Sequence, residues 1–302
     1  MRKVCLLIVT LGALGLADSA AAAPPLTMPL TFNNAVLTTP GFPNTVLVTP
    51  ASTPVTATAT LVPGTGAFTI KPSDFNFPTY SFTTPLPGSF QITLKNPATG
   101  QFNAATGALS ITADFVATVN LNGVGSCSAD AGTQTYSTSS SAVYPGVAFP
   151  ANANGATTGP GAITGGWQSI QSSGSACSLV ASALNGPGGL WLSKDIAPPK
   201  PKLSISAAHK AKGTVGKSTT LKVTVANRGK LVGTSIKVCA KAPKSVHVAG
   251  AKCKTIAQLA VGAKKTLKFK LKPTKAGSFT VKFKASESGI SSAKTKVALK
   301  VA

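Results

Sequence analysis

Carboxylates and imidazoles are scarce in this sequence of 302 residues, which contains six Asp or Glu residues and two histidines. Both histidines, His209 and His247, lie in the C-terminal third of the chain. The motifs of serine hydrolases, phosphate-binding loops and zinc peptidases are also missing. Because acid–base and metal chemistry need clusters of such groups, we expect a protein that is not an enzyme and uses no cofactor or metal.

A secreted carbohydrate-active or other hydrolytic enzyme with an accessory module stays open as an alternative. Glycoside hydrolysis needs two carboxylates across a cleft, and Asp74 and Asp114 could supply them if the fold brought them together. His247 alternates with Val246 and Val248, which predicts an outward-facing strand position rather than a ligand role.

Long apolar runs are absent too, so no segment is expected to span a bilayer. The apolar stretch Val4–Leu16 follows two basic residues and precedes a run of small residues, which is the layout of a secretory signal peptide. The A-x-A rule fits cleavage after Ala22 or after Ala23, and we prefer Ala22 because the other site would put Pro24 directly after the cut. We therefore expect a signal peptide at 1–22 and a protein that is secreted or associated with the cell surface.

Cysteine is rare, and an even number follows the predicted signal peptide. In an exported protein an even count indicates disulfides, and four cysteines allow three pairings. We predict the pairing that keeps each bond within one proposed domain, and the wide spacings do not favour zinc. The predicted bonds are Cys127–Cys177 and Cys239–Cys253.

Positive charge is concentrated at the C-terminal end of the chain. Residues 24–198 hold three lysines against four aspartates, whereas residues 199–302 hold 23 lysines and one arginine against one glutamate. The change coincides with the segment "DIAPPKPK", whose prolines are typical of a stiff linker. The sequence therefore predicts a neutral Ser/Thr/Gly-rich domain at 24–198 and a Lys-rich domain at 199–302.

Apolar and polar residues alternate along seven or eight short segments of the basic domain, with turn signals between them. In "TLKFKLK", Leu267, Phe269 and Leu271 share one face, and the lysines between them share the other. This pattern is typical of an immunoglobulin-like sandwich of about 100 residues. The outward lysines are candidate polyanion-binding residues: Lys222, Lys268, Lys270, Lys272, Lys282, Lys284, Lys294 and Lys296.

Three motifs in the basic domain indicate a family. They are V-x-V-x-N-x-G at Val223–Gly229, L-A-x-G at Leu259–Gly262 and A-G-x-F-x-V at Ala276–Val281. With these motifs the domain resembles the bacterial Ig-like modules of the CARDB type, which occur in cell-adhesion-related proteins. The resemblance covers about a third of the chain and implies an Ig-like fold, while the second cysteine pair and the lysine load depart from the family pattern.

Two explanations of the lysine surface remain open. The lysines could form a solvated face that prevents edge-to-edge pairing of strands, or they could hold the protein on an anionic polymer. For an exported protein, the candidate partners are anionic cell-wall polymers or acidic polysaccharide. Sequence-specific binding of nucleic acid is not expected, because the domain has one arginine and neither Trp nor Tyr.

The neutral domain contains alternating apolar runs bounded by Pro, Gly and Asn, which predict a second all-β unit, a sandwich or a partly closed barrel. Segments "NPATGQF" and "NAATGAL" are interpreted as Asn-initiated turns with Gly at positive φ. Trp167 and Trp191, each beside two glycines, are candidates for an exposed ligand platform. This domain would serve adhesion or ligand contact, and carriage of a lipid or other apolar ligand is a further alternative.

Overall fold

The computed structural model describes residues 23–42, 45–48, 53–83, 86–140, 144–152 and 155–302, so the predicted signal peptide lies outside the described residues. The first fourteen strands are β1 Leu26–Phe32, β2 Asn34–Thr38, β3 Thr45–Val48, β4 Val55–Leu61, β5 Ala67–Ile70, β6 Phe75–Asn76, β7 Tyr80–Phe82, β8 Gly88–Leu94, β9 Ala98–Asn103, β10 Ala108–Leu121, β11 Gly125–Ser137, β12 Gly161–Trp167, β13 Gln171–Ser173 and β14 Gly188–Lys194. A 3₁₀ turn covers Pro72–Asp74, and helix α1 covers Cys177–Leu184.

The C-terminal strands are β15 Leu203–Ala207, β16 Lys210–Gly213, β17 Thr219–Asn227, β18 Gly233–Lys241, β19 Val246–Ala249, β20 Cys253–Leu259, β21 Lys264–Pro273, β22 Gly277–Ser286 and β23 Ala293–Val301. With 23 strands and one α-helix among the described residues, the predicted all-β class is confirmed.

Strands β1–β14 form one curled sheet, a half-barrel, so the partly closed barrel is the form that the N-terminal region adopts. Its main path runs β1-β4-β5-β9-β10-β11-β12-β14-β2-β3. The first half of β10 pairs with β9 and the second half pairs with β8. A bulge between Asp114 and Val116 separates the two halves, and bulges of this kind increase strand bending and twist.

The interior of the half-barrel is filled by aromatic and aliphatic side chains. Phe115 packs edge-on against Tyr136, with ring centroids 5.1 Å apart, and lies 5.3 Å from the ring of Phe75. Two internal cavities have volumes of about 10 and 30 Å³. Since a cavity of that size holds about one water molecule, the interior is a packed core.

The segment "NPATGQF" is not the turn that the sequence suggested. Residues Ala98–Asn103 form β9, and a Cβ at Gly100 would lie 2.2 Å from the ring of Phe68, so close packing explains this glycine. The second segment is a turn as expected. The Oδ1 of Asn103 accepts two backbone N–H groups there, and Gly107 has a φ of 71°.

Strands β15–β23 form a two-sheet sandwich. The four-stranded sheet has the order β15-β17-β21-β19, and the five-stranded sheet has the order β16-β23-β22-β18-β20. Phe269 of the first sheet and Phe283 of the second meet in the core, with ring centroids 5.3 Å apart. Strand β16, which the sequence did not reveal, pairs in parallel with β23 at the edge of the second sheet.

Each region contains one disulfide, and neither bond crosses between the regions. Cys127 on β11 is bonded to Cys177 at the start of α1. Cys239 on β18 is bonded to Cys253, its direct cross-strand neighbour on β20.

A buried asparagine explains the V-x-V-x-N-x-G motif. The Asn227 side chain is completely buried, and its amide donates to the carbonyl groups of Leu231 and Leu259. Its Oδ1 accepts the N–H groups of Lys202 and Gly229. One side chain therefore joins the end of the linker, the loop after β17 and the end of β20.

Candidate functional site

The eight candidate lysines are all exposed, but they do not form a single group. Those on β17 and β21 cover the four-stranded sheet, and those on β22 and β23 cover the five-stranded sheet. The structure therefore divides them between two faces of the sandwich that point away from each other.

Lysines lie directly opposite one another across the five-stranded sheet. Lys282 on β22 is the register partner of Lys296 on β23 and of Lys241 on β18, so three ammonium groups cross three neighbouring strands. In the next row, Lys284 is the partner of Lys294. This arrangement concentrates positive charge on central strands of the sheet.

Further exposed lysines on this face were not among the sequence candidates: Lys210, Lys212, Lys237, Lys241 and Lys300. Alternation in "TSIKVCAK" could have revealed the two lysines of β18. The two on β16 carried no such signal, because that strand is short and lacks the β-branched residues that favour strands. Together with the candidates Lys282, Lys284, Lys294 and Lys296, these lysines form what we call the lysine face of the five-stranded sheet.

Carboxylates do not neutralise the lysine face. Glu287, the one acidic residue in 199–302, is half-buried, and its Oε1 accepts hydrogen bonds from the backbone N–H and the hydroxyl of Thr234. In the described part of the chain, the ion pair that forms is Lys95–Asp130, which belongs to the half-barrel. The protein itself thus leaves the charge of the lysine face uncompensated.

This arrangement opposes folding to a modest extent. Like charges directly opposite each other in a sheet destabilise it, and two ammonium groups about 6 Å apart in water repel by ~0.7 kcal/mol before screening by salt. Four such pairs lie on the lysine face: Lys212–Lys300, Lys241–Lys282, Lys282–Lys296 and Lys284–Lys294. An anionic partner would relieve this repulsion.

One lysine has a different role. Lys254 on edge strand β20 places its ammonium group 5.6 Å from the ring centroid of the core residue Phe269. A charged side chain turned toward the sandwich from an edge strand hinders pairing with another chain. Protection of an edge therefore explains Lys254.

The two tryptophans do not form an exposed platform, so that prediction is wrong. Trp167 and Trp191 are 7% and 3% exposed. A Cβ at Gly188 would lie 2.8 Å from Nε1 of Trp167, so this glycine allows the indole to pack against the backbone. Trp191 packs edge-on against Tyr144 and shares a cluster with Leu231 of the C-terminal region.

The candidate aspartates take ordinary structural positions. Asp74 lies in the 3₁₀ turn and accepts a hydrogen bond from the hydroxyl of Ser73. Asp114 accepts a hydrogen bond from the side-chain amide of Asn96 beside the β10 bulge. Neither lines the groove of about 670 Å³ on the half-barrel, which is formed by Leu26, the turn 61–66, the segment 101–104 and Gly155.

The half-barrel ion pair shifts the titration of both partners. The Lys95 ammonium group donates to Oδ2 of Asp130 at 2.7 Å, and this hydrogen bond holds the pKa of the carboxyl below its ordinary value. The same bond raises the pKa of Lys95.

No three His, Cys, Asp or Glu side chains in the described ranges are grouped so that they could hold a metal ion. Over those same ranges, a helix with the length and apolar character of a membrane span is not found.

The fold and the disulfide define the C-terminal region as an immunoglobulin-like sandwich module. The CARDB family model matches residues 200–291, and this region is a CARDB domain, which confirms the resemblance predicted from its motifs. A CARDB module together with disulfides is consistent with an extracellular protein. Among curated proteins, none matches the chain.

Solved structures similar to this region include the CARDB domain of PF1109 from Pyrococcus furiosus. Its solution structure is 22% identical in sequence, with a TM-score of 0.25, and the alignment covers 33% of this chain and 95% of the PF1109 domain. A crystal structure of the same domain in complex with di-metal ions is 22% identical, with a TM-score of 0.24 and coverage of 33% and 88%. A PapD-like domain of human CEP192 is 11% identical, with a TM-score of 0.23 and coverage of 36% and 89%.

Proposed function

We propose that this is an exported, non-catalytic protein whose lysine-rich CARDB domain retains it on anionic polymers of the cell envelope. In this proposal the half-barrel supplies adhesive or ligand contacts outside the retained layer. The uneven distribution of charge supports this division of roles, because the field of the C-terminal region is strong enough to concentrate polyanions at its surface.

The observation that carries the proposal is the position of the lysines within the sheets. Protection against edge-to-edge pairing would place lysines on the edge strands β15, β16, β19 and β20. The eight candidates instead lie on the inner strands β17, β21, β22 and β23, where edges need no protection. Edge protection accounts for lysines on the edge strands β16 and β20, such as Lys254, but not for those on inner strands, which a binding surface explains.

The side-chain chemistry favours recognition of charge rather than of bases. The region has 23 lysines, one arginine and no Trp or Tyr. Base readout relies on arginine, and single-strand binding relies on exposed aromatic rings. Attraction to a repeating anionic backbone therefore fits these residues better than sequence-specific binding of nucleic acid.

The alternative functions have less support. A lipid or drug-sized ligand needs a cavity of several hundred Å³. The two cavities described above inside the half-barrel have volumes of about 10 and 30 Å³. For a hydrolase, the large groove is lined by residues without a carboxylate or imidazole side chain. Hydrolysis of a glycan by the native protein that is lost in the Asp74→Ala or Asp114→Ala variant would support the hydrolase alternative.

The test is fractionation of cells that produce the full chain. Cells are separated from medium at low salt and washed with rising NaCl, and we expect the protein to sediment with the cells and to elute as screening increases. A variant with all eight candidate lysines changed to Gln should elute at lower salt than the native chain, because it keeps 15 of the 23 lysines of the region. A matched variant with the same eight changed to Arg should stay bound, because it keeps the charge.

Either of two results would contradict the proposal. One is a native chain that stays in the medium at low salt. The other is a cell-bound fraction that resists high salt and is unchanged in the eight-Gln variant.

A further inference from the structure

The lysine face of the five-stranded sheet has a hollow at one end. Along β23, lysines occupy positions 294, 296 and 300, but the position between the last two is Ala298. The short side chain leaves a depression of about 430 Å³, which is lined by Lys210, Lys212, Ser278, Ala298, Leu299 and Lys300. That volume suits a small molecule or one repeating unit of a polymer rather than a bare ion.

Register places three ammonium groups around this hollow. Lys212 on edge strand β16 lies opposite Lys300, which lies opposite the hydroxyl-bearing Ser278 on β22. In the next row Lys210 lies opposite Ala298. Cations and a hydroxyl group therefore surround a floor made by the methyl group of Ala298 and by strand backbone, because the side chain of Leu299 is buried in the core.

We propose that the hollow seats one phosphodiester unit of a linear polyanion, such as a polyol phosphate chain. This inference rests on the proposed retention and specifies its site and ligand class. The three ammonium groups bind the phosphate oxygens, and the methyl group of Ala298 contacts the carbon chain of the unit. The polymer then continues along the face to the row formed by Lys296, Lys282 and Lys241.

The composition of the face suits phosphate bound by point charges. The fork of arginine matches carboxylate and phosphate alike, and the single arginine of this region, Arg228, lies in the loop after β17 rather than on the face. Lysine is a compact point charge with three donors and binds phosphate in many proteins. Three lysines around one hollow can approach a tetrahedral phosphate from different directions, and the comparison with a polycarboxylate below tests this choice of anion.

The rows of the face lie close enough together for one polymer chain to contact both. Side chains on one face of a strand repeat about every 6.8 Å, so the hollow at Lys300 and the row at Lys296 are ~14 Å apart. Within one row, lysines on neighbouring strands are about 4.8 Å apart at the backbone. A flexible chain with evenly spaced negative charges can meet both rows at once.

The experiment compares the two faces in the full chain. Binding of poly(glycerol phosphate) is measured by calorimetry at low salt for the native protein and two triple variants. The hollow variant is Lys210→Gln/Lys212→Gln/Lys300→Gln, and the control on the four-stranded sheet is Lys222→Gln/Lys268→Gln/Lys270→Gln. Both variants lose the same charge, and thermal unfolding checks that both fold.

We expect the hollow variant to bind about 10-fold or more weakly and the control to lose no more than about 3-fold, since each lysine near an anionic surface adds to the affinity. Equal losses in the two variants would overturn the seat and leave the retention proposal standing. A native protein that binds polygalacturonate of equal length as tightly would overturn the phosphodiester assignment. Binding of neither polymer would overturn both proposals.

Discussion

Asn227 joins three segments of the C-terminal sandwich through one carboxamide, and its four hydrogen-bond partners are backbone groups. Asparagine supplies two donors and an acceptor in one short side chain, and neither Ala nor Ser could satisfy the same groups. The asparagine of the CARDB motif is therefore explained by hydrogen bonding in the core rather than by a ligand.

Replacing this residue should destabilise the sandwich strongly. In Asn227→Ala, two buried carbonyl groups and two partly buried N–H groups lose their partner, so we expect the free energy of unfolding to fall by about 3 kcal/mol. Urea unfolding followed by circular dichroism measures this change. Gln258→Ala on the exposed side of β20 is the control and should change stability by no more than ~0.5 kcal/mol. Similar losses in the two variants would refute the role of Asn227.

The ion pair of the half-barrel gives a pH dependence with a defined sign. The pKa of Asp130 is lowered from 3.8, so its stabilisation is complete above pH 3.8 and is lost as the pH falls below that value. We expect Asp130→Asn to melt at a lower temperature than the native protein at pH 6 and to show less loss on acidification to pH 2. Lys95→Gln should flatten the acid profile in the same way, and an unchanged profile in both variants would contradict the assignment.

Among the elements, the inner strands of the five-stranded sheet combine the core of the sandwich with its charge. Strand β22 buries Val281 and Phe283 on one side and exposes Lys282 and Lys284 on the other. The packing that holds this strand in place thus also holds ammonium groups opposite those of its neighbours. Stability and attraction to polyanions should therefore change in opposite directions when these lysines are replaced.

Lys282→Glu tests this relation. The substitution turns two repulsive pairs, with Lys296 and Lys241, into attractive ones, and we expect the sandwich to gain about 0.5–1 kcal/mol while binding to a polyanion weakens. Lys217→Glu, in the turn after β16, makes the same change in net charge without a cross-strand lysine. If both variants gained equal stability, net charge rather than strand register would be responsible.

Which elements the sequence revealed depends on how strongly their side chains alternate. The segment "TLKFKLK", in which apolar and polar residues alternate strictly, lies within β21 as expected. Strand β16 has four residues of Lys, Ala and Gly, and helix α1 has eight residues and no capping side chain, so neither left a clear pattern.

The candidate site was only partly visible in the sequence. The exposure of the eight lysines could be predicted from alternation. Their arrangement in rows depends on the register between β18, β22 and β23, which cannot be predicted from the sequence of a single strand. The tryptophans were misjudged for a similar reason. Glycines beside them suggested open turns, whereas Gly188 allows close packing of Trp167 against a strand that is distant in the sequence.

At the scale of the whole molecule, a small apolar cluster connects the half-barrel and the sandwich. Leu231, in the loop that Asn227 holds, is 5% exposed and packs with Val36, Tyr144 and Trp191 of the half-barrel. The cluster positions the neutral region relative to the charged one. Contacts of the half-barrel would then be presented in a fixed direction from a retained CARDB domain.

Leu231→Ala should expose Trp191 to water without unfolding either region. We expect a red shift of the tryptophan emission at unchanged far-ultraviolet circular dichroism. Val261→Ala is the control, because Val261 is 53% exposed and lies outside the cluster. An emission spectrum of Leu231→Ala identical to that of the native protein would show that the cluster does not form in solution.

Retention by charge is tested most directly by the salt dependence of binding between the full chain and purified envelope polymer. If the lysine faces hold the protein, log K should fall linearly with log salt, with a loss of about 10³-fold between ~50 and ~200 mM for six or more contacts. The eight-Gln variant should show a shallower slope. An affinity that is independent of salt, or a slope that the eight substitutions leave unchanged, would contradict retention by the lysine faces.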